Sequence, residues 1–340
     1  VIPFGYPPME MRAVADVPDG PLWQYEPKWD GFRCLAFREG GDVALQSKAG
    51  QPLGRYFPEI VDALGRLGTA RYVLDGELVV PLAGALSFDA LQQRIHPAAS
   101  RVAMLAKRTP AGYLIFDLLA EDGRDLIDLP LAERRERLER FAGQLDGETL
   151  RLSPATRDRR VVDDWFARVG GALDGVIAKR VDAKYASGSR DAAVKVKRVR
   201  TADCVVGGFR YAKGSTTQVG SLLLGLYDDD GSLDYIGFCS AFAADEKRAL
   251  IERLRPHVGE PGFDGAAPDA APSRWSRDPD RDRSYVKLKH DLVLEVAFDQ
   301  VTGGRIRHGT RPVRWRPDKS PRQCTTEQLA TPDRALALLD

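Results

Sequence analysis

The pattern of apolar runs changes character at residues 193–200 (AVKVKRVR), and that break constrains the architecture more than any other feature. Upstream, strand-like and helix-like runs follow one another in irregular order. Residues 72–80 (YVLDGELVV) and 112–119 (GYLIFDLL) are short, apolar and bounded by turn residues, as buried strands are. Between them, residues 87–94 read as a helix capped by Ser87; beyond the second, 131–141 (LAERRERLERF) read as a helix following Pro130. Leu131, Leu138 and Phe141 share one face of that later helix, and the spacing sends its Glu and Arg side chains to water. Downstream, from Asp203, short apolar runs at 204–209, 221–227 and 233–239 alternate with glycine-bearing turns. This predicts a small antiparallel barrel or sandwich of about 140 residues. A helix over 245–254 and a Pro/Gly/Asp/Ala-rich loop over 256–272 interrupt it. The expectation is an α+β chain of two domains, 1–200 and 201–340.

At 340 residues the chain can bury two cores, and with 43% apolar and 29% charged residues it is neither disordered nor fibrous. No apolar run approaches the roughly 20 residues of a membrane helix, and residues 1–11 lack the apolar core of a signal peptide. A cytoplasmic protein with no membrane partner is expected. Cys34, Cys204, Cys239 and Cys324 are widely spaced, with no Cys-x-x-Cys pair and no histidine at metal spacing. Buried free thiols fit this better than a zinc site or a disulfide framework. A total of 50 Lys and Arg against 49 Asp and Glu argues against a uniformly basic protein. The balance is uneven, however. Residues 300–323 hold Arg305, Arg307, Arg311, Arg314, Arg316, Lys319 and Arg322 against the single acid Asp318. Interleaved with Ile306, Val313 and Trp315, they suggest strands that present charge to a phosphate partner.

One segment carries a chemical signal of its own: Glu26-Pro27-Lys28-Trp29-Asp30-Gly31-Phe32-Arg33. It sets one lysine in an Asp-Gly turn, with an arginine five residues on, just before a strand over 34–37. A lysine amine attacks an electrophilic phosphorus only when unprotonated, so Lys28 is expected where burial or neighbouring cations lower its pKa.

Lys-x-Asp-Gly-x-Arg resembles motif I of the covalent nucleotidyltransferases, the superfamily of ATP- and NAD-dependent DNA ligases, RNA ligases and mRNA capping enzymes. The rest of that superfamily's series follows in order. Ser47-Lys48-Ala49-Gly50, with Leu53, Tyr56, Phe57, Pro58 and Glu59 after it, is similar to motif Ia. Asp75-Gly76-Glu77 resembles motif III, and Phe116-Asp117 motif IIIa. Asp174-Gly175-Val176-Ile177-Ala178-Lys179 resembles motif IV, and Lys195-Val196-Lys197 motif V. Arg314-Trp315-Arg316-Pro317-Asp318-Lys319 resembles motif VI, which in this superfamily lies in an OB-fold domain. The resemblance implies a nucleotidyltransferase (adenylation) domain of antiparallel sheets plus helices over 1–200, then an OB-fold β-barrel domain over 201–340.

It also implies ATP as substrate, AMP carried covalently on Lys28, and Mg2+ or Mn2+ as the metal. Lys195 and Lys197 would neutralise the α-phosphate together with that cation. Glu77 and Asp174 would hold the metal through oxygen donors. Phe116 would stack on the adenine, Glu26 would contact it, Arg33 would hold the ribose or phosphate side, and Lys179 would add a phosphate-side contact. Arg314, Arg316, Asp318 and Lys319 would orient the leaving pyrophosphate in the first step only. The barrel would then close over ATP and later swing to clamp DNA, with a hinge between residues 198 and 203. Two positions depart from the pattern. Asp174 stands where Glu is common, which shortens the reach to the metal. Lys48 replaces the customary motif Ia arginine, so a bidentate grip on a DNA 5′-phosphate becomes a point-charge contact.

Residues 211–242 and 290–321 resemble the OB domain of bacterial repair ligases, including the end-joining ligases; the small stand-alone type C group of ATP-dependent DNA ligases fits best. With Lys28 near the start and motif VI near the end, a minimal two-domain core is expected, without a DNA-encircling helical domain, BRCT-like module or zinc module. The implied reaction is sealing of nicked duplex DNA, by a monomer that acts in repair and associates with the nucleoid. The alternatives are an RNA ligase or capping-type nucleotidyltransferase, and a non-catalytic OB-type nucleic-acid-binding protein. The last predicts loss of the nucleophile or its phosphate lysines, yet Lys28, Glu77, Lys195 and Lys197 are all present.

Overall fold

A computed structural model describes residues 2–82, 84–169, 173–197, 199–264, 284–307, 309–330 and 338–339. Residues 265–272 of the expected loop, and residue 198 of the expected hinge, lie outside the described residues. The chain divides into two compact units, Val1–Arg198 with Thr331–Asp340, and Val199–Ala330. Leu338 is buried in the first unit with Tyr25, Trp165 and Val176. Leu338, expected in the second domain, therefore packs with the first unit. No helix among the described residues is long and apolar enough to cross a membrane.

The first unit holds two main sheets. The four-stranded sheet runs, in spatial order, Arg12–Ala13, Ala193–Lys197, Gly175–Arg180, Trp23–Pro27. The six-stranded sheet runs Leu150–Leu152, Gly112–Glu121, Arg71–Val79, Phe32–Glu39, Asp42–Ser47, with Arg124–Asp125 also paired to Gly112–Glu121. Pairing is antiparallel except for Arg12–Ala13 on Ala193–Lys197 and Leu150–Leu152 on Gly112–Glu121. Trp23–Pro27 and Phe32–Glu39 sit in different sheets. Residues 28–31 are thus a crossing between sheets, not a hairpin turn.

Ser87 caps the helix Phe88–Gln93 as expected, its hydroxyl accepting from the Ala90 N–H at 3.2 Å. The helix Leu131–Phe141 also forms, with Leu131, Leu138 and Phe141 buried, but its arginines do not all face water. Arg134 and Arg135 are buried, and the Arg134 guanidinium donates to both carboxylate oxygens of Asp117 at 2.9 and 3.0 Å. It also donates to the carbonyls of Leu129 and Ala183. A buried charge persists when it is paired and its donors are filled, and here the partners come from other segments that helical spacing does not reveal.

In the second unit the sheet order is Leu233–Cys239, Val219–Tyr227, Arg200–Tyr211, Val293–Phe298, Arg311–Trp315, and every pairing is antiparallel. The two ends of that path meet through a parallel bridge between Cys239 and Thr310, with the Thr310 N–H donating to the Phe238 carbonyl at 3.0 Å. The helix Ala244–Leu254 lies in the connection between Leu233–Cys239 and Val293–Phe298. A sheet ordered 3-2-1-4-5 and closed from 3 to 5 is the Greek-key OB barrel. Cys204, Cys239 and Cys324 lie in its core, and Cys34 in that of the first unit; all four are buried free thiols.

Candidate active site

Lys28 sits where the chain passes from one sheet to the other, its N–H donating to the Gly175 carbonyl at 2.9 Å. Two glycines make that crossing possible. A Cβ on Gly31 would lie 2.1 Å from the Leu78 carbonyl oxygen, and one on Gly175, at φ +151°, would lie 2.1 Å from that of Val196. Neither position admits a side chain. On the other wall, Asp75 pairs with Asp117 but Gly76 with Ile115, so Phe116 is the extra residue of a β-bulge that re-aims its ring.

These crossings enclose a cavity of about 410 Å³. Of the residues singled out from sequence, Glu26, Lys28, Arg33, Lys48, Glu77, Phe116, Lys179 and Lys195 line it. In the four-stranded sheet Ile177 pairs with both Glu26 and Lys195, so the three form a row across the strands. Alternation places Lys179 and Lys197 on the same face. Asp174 joins the site through Lys28, whose Nζ donates to its Oδ2. The other oxygen of Asp174, Oδ1, is buried with no hydrogen-bond partner.

Charge is finely divided here. Burial pushes the Lys28 amine down, but Asp174, Glu77 and Asp30 outweigh it and hold its pKa above the ordinary lysine value. This reverses the sequence expectation, because acids rather than cations are the nearest charges. Lys195 does behave as cations are expected to: burial, then Lys28, Lys197, Lys48 and Arg190, lower its pKa. Burial raises the Glu77 carboxyl to about 7 against the pull of Arg33 and Lys28, and its Oε1 accepts from the Gly31 N–H at 3.1 Å.

Glu26 and Lys179 form a buried ion pair at 2.7 Å, and Gln24 also donates to Glu26. The Lys179 ammonium lies 4.5 Å from the centre of the Phe116 ring, and the Arg33 guanidinium 4.8 Å from it. Arg33 is itself anchored by Asp75, which takes its Nε and Nη2 at 2.5 and 2.6 Å. Lys48 lies 3.2 Å from Glu10, which also accepts from Arg190 at 2.8 Å.

Sequence reasoning missed Asp75 as an anchor, Arg190, Glu10 and the cavity wall formed by residues 9–13. Asp75 lay inside a recognised motif, which was the available signal; its bond to Arg33 runs diagonally between neighbouring strands, where Arg33 pairs with Glu77 and Asp75 with Leu35. Nothing local marks residues 9–13 or Arg190, which reach the cavity only through tertiary pairing. Glu77 and Asp174 are the acids that fit a divalent cation. Both are hard oxygen donors of the kind Mg2+ takes, and the unpartnered Asp174 oxygen lacks the hydrogen bond a structural carboxylate would have. Among the described residues no cluster of three or more His, Cys, Asp or Glu is poised for a metal, so phosphate oxygens and water would complete such a shell.

The motif VI residues lie in the second unit and are tied into it. Arg314 donates to Glu295 at 2.7 Å, and Arg316 holds both oxygens of Asp203 at 2.9 and 3.0 Å and both of Asp318 at 3.0 and 2.9 Å. Lys319 lies 3.8 Å from Asp203. Arg307 and Arg322 are similarly engaged, with Gln300 and with the Gly231 carbonyl. Much of the basic run therefore fixes its own barrel, whereas Arg311 is exposed.

A family model for the ATP dependent DNA ligase domain matches residues 12–197, and one for the ATP dependent DNA ligase C terminal region matches residues 215–319. Over 96% of its length the chain is 45% identical to DNA ligase C2 of Mycolicibacterium smegmatis and 43% identical to DNA ligase C of Mycobacterium tuberculosis; each match covers 94% of the relative. It is 33% identical, over 95% of its length, to the multifunctional non-homologous end joining protein LigD of Pseudomonas aeruginosa, 37% of which is covered. Among solved structures, a Lig E DNA ligase aligns with a TM-score of 0.55 at 15% identity, covering 90% of this chain and 99% of that one, a likeness of fold. With both units matched at this identity and coverage, the chain belongs to the ATP-dependent DNA ligase family, whose members use ATP and a divalent metal to act on nicked DNA.

Proposed function

We propose that this ligase carries AMP on Lys28 and seals nicks bearing 3′-hydroxyl and 5′-phosphate ends, with the first unit as adenylation domain and the second as OB domain. The observation that carries the reading is one amine, Lys28, paired with Asp174 and lining a cavity whose walls also hold Lys195, Arg33 and Glu77. Lys28 first gives up a proton to solvent. Its Nζ lone pair then forms a bond to the α-phosphorus of ATP, the bond to the bridging oxygen breaks, and pyrophosphate leaves with that electron pair. A 5′-phosphate oxygen next displaces Lys28, which regains its proton, and AMP is now on the DNA end. The 3′-hydroxyl oxygen finally attacks the 5′-phosphorus, its proton passing to solvent, as the bond to the AMP oxygen breaks and AMP departs with that electron pair.

Lys195 and Lys197 steady the phosphates. Burial first, and then the neighbouring cations Lys28, Lys197, Lys48 and Arg190, lower the Lys195 pKa, and that gathering of positive charge favours an anion. Phe116, with Glu26 and Lys179 beside it, takes the adenine end, and Arg33 takes the sugar or phosphate side. Lys48 meets the 5′-phosphate of DNA as a point charge. Arg314, Arg316, Asp318 and Lys319 act on pyrophosphate in the first step alone. When bound to Glu77 and Asp174, Mg2+ or Mn2+ supplies charge neutralisation at the reacting phosphate. The name of the Pseudomonas relative supports a role in repair, and by this reading the enzyme is a monomer that meets nicked duplex DNA at the nucleoid, with repair proteins as partners.

Incubation with α-labelled ATP and Mg2+ should label the wild-type chain and leave Lys28→Ala unlabelled; label on the variant would displace Lys28 as nucleophile. The same mixtures given nicked duplexes of DNA, RNA or hybrids should seal DNA, and sealing of RNA alone would overturn the substrate assignment.

A further inference from the structure

Tyr185 does nothing in the scheme above, yet its hydroxyl joins two parts of the site, Asp75 and the wall at Met9. It is 4% exposed. Its hydroxyl donates to Asp75 Oδ2 at 2.6 Å and accepts the Met9 N–H at 3.0 Å. Asp75 is fully buried and spends both oxygens on Arg33, so the tyrosine supplies a third donor to the carboxylate that aims that guanidinium. Met9 begins the stretch 9–13 that walls the cavity. The Tyr185 ring is also fixed, under the Arg134 guanidinium at 5.7 Å and stacked on Tyr6 at 6.4 Å.

We infer that Tyr185 is a positioning residue for nucleotide binding, a single hydroxyl that holds Arg33, through Asp75, and the wall at residues 9–13 in register around the cavity. A hydroxyl between a carboxylate and a backbone N–H is suited to this, since it can donate to one and accept from the other. Both bonds are buried, where a charge-assisted contact is strong and an orphaned N–H is costly. The role concerns ATP capture and not the chemical step, because Tyr185 is not among the residues lining the cavity and reaches the nucleotide only through Arg33 and the wall. The inference rests on adenylation of Lys28 as proposed above.

The test is the rate of Lys28 adenylation against ATP concentration, in the full chain with Mg2+. Tyr185→Phe keeps the ring and removes the hydroxyl. The half-saturating ATP concentration should rise about tenfold while the limiting rate stays within about twofold. Asp75→Asn, which weakens the same junction, should act in the same direction and carries the test if the first variant folds poorly. Tyr72→Phe is the control, for it deletes another buried hydroxyl of this unit, one that donates to the Leu64 carbonyl at 2.8 Å, and should leave ATP dependence unchanged. Unchanged ATP dependence in Tyr185→Phe, or an equal rise in Tyr72→Phe, would overturn the inference. If wild type itself failed to label Lys28, the proposed function would fall instead.

Discussion

Lys28 rests in its protonated form, and the reason is local. Burial alone would free the amine, but the acids around it outweigh burial and keep the proton. The motif singled out this lysine; it was silent on this balance, because Asp174 lies 146 residues away in the chain and meets Lys28 only after the sheets cross. A lysine with a raised pKa carries its charge to higher pH than an ordinary one, which titrates near about 10.4. In an NMR titration of 13C-labelled lysines in the ligand-free protein, Lys28 should lose its proton above that value, and Asp174→Asn should move the transition to lower pH. A transition that stays in place in the variant would mean that Asp174 does not hold the proton. The Phe116 ring was legible as a site residue by its motif, but the cations over it were not, since they arrive from two other strands.

At the scale of elements, strands and caps were easier to read than charge. The helices Phe88–Gln93 and Leu131–Phe141 form where capping and spacing place them. The error lay in sending every arginine of the second helix to water, since a helical wheel has no term for Asp117 on the strand Gly112–Glu121. That aspartate also reinterprets motif IIIa: its phenylalanine lines the cavity, while its acid fastens a helix to the sheet. Burial pushes the Asp117 carboxyl up, Arg134 pulls it down further, and it ends below the ordinary carboxylate value. Stability from a depressed carboxylate is fully present above the unfolded pKa, about 3.9, and is lost as pH falls through the lower folded value. Asp117→Asn should cost about 3–5 kcal/mol at pH 7 by leaving Arg134 buried and unpaired. It should also flatten the acid limb of a stability-versus-pH curve measured by thermal melting. An acid limb identical to wild type would show that the pair is not the acid-sensitive element.

For the whole molecule, the change of pattern near residue 200 was visible because a barrel of short strands reads differently from interleaved helices and sheets. Leu338 was not: one leucine in a terminal stretch gives no hint that it packs with Tyr25 in the first unit. The near-zero net charge is likewise a sum of opposed places. Acids hold Lys28, cations crowd Lys195, and arginines of the barrel are paired with Asp203, Glu295 and Asp318. The central claim is that one amine carries AMP from nucleotide to DNA. It is tested most directly by labelling the full chain with α-labelled ATP, removing all free nucleotide, and adding nicked duplex DNA with Mg2+ in a single turnover. The label should leave Lys28, appear transiently on the DNA 5′ end, and finish as free AMP as the strand is sealed without further ATP. Label that stays on the protein while added ATP restores sealing would contradict the account.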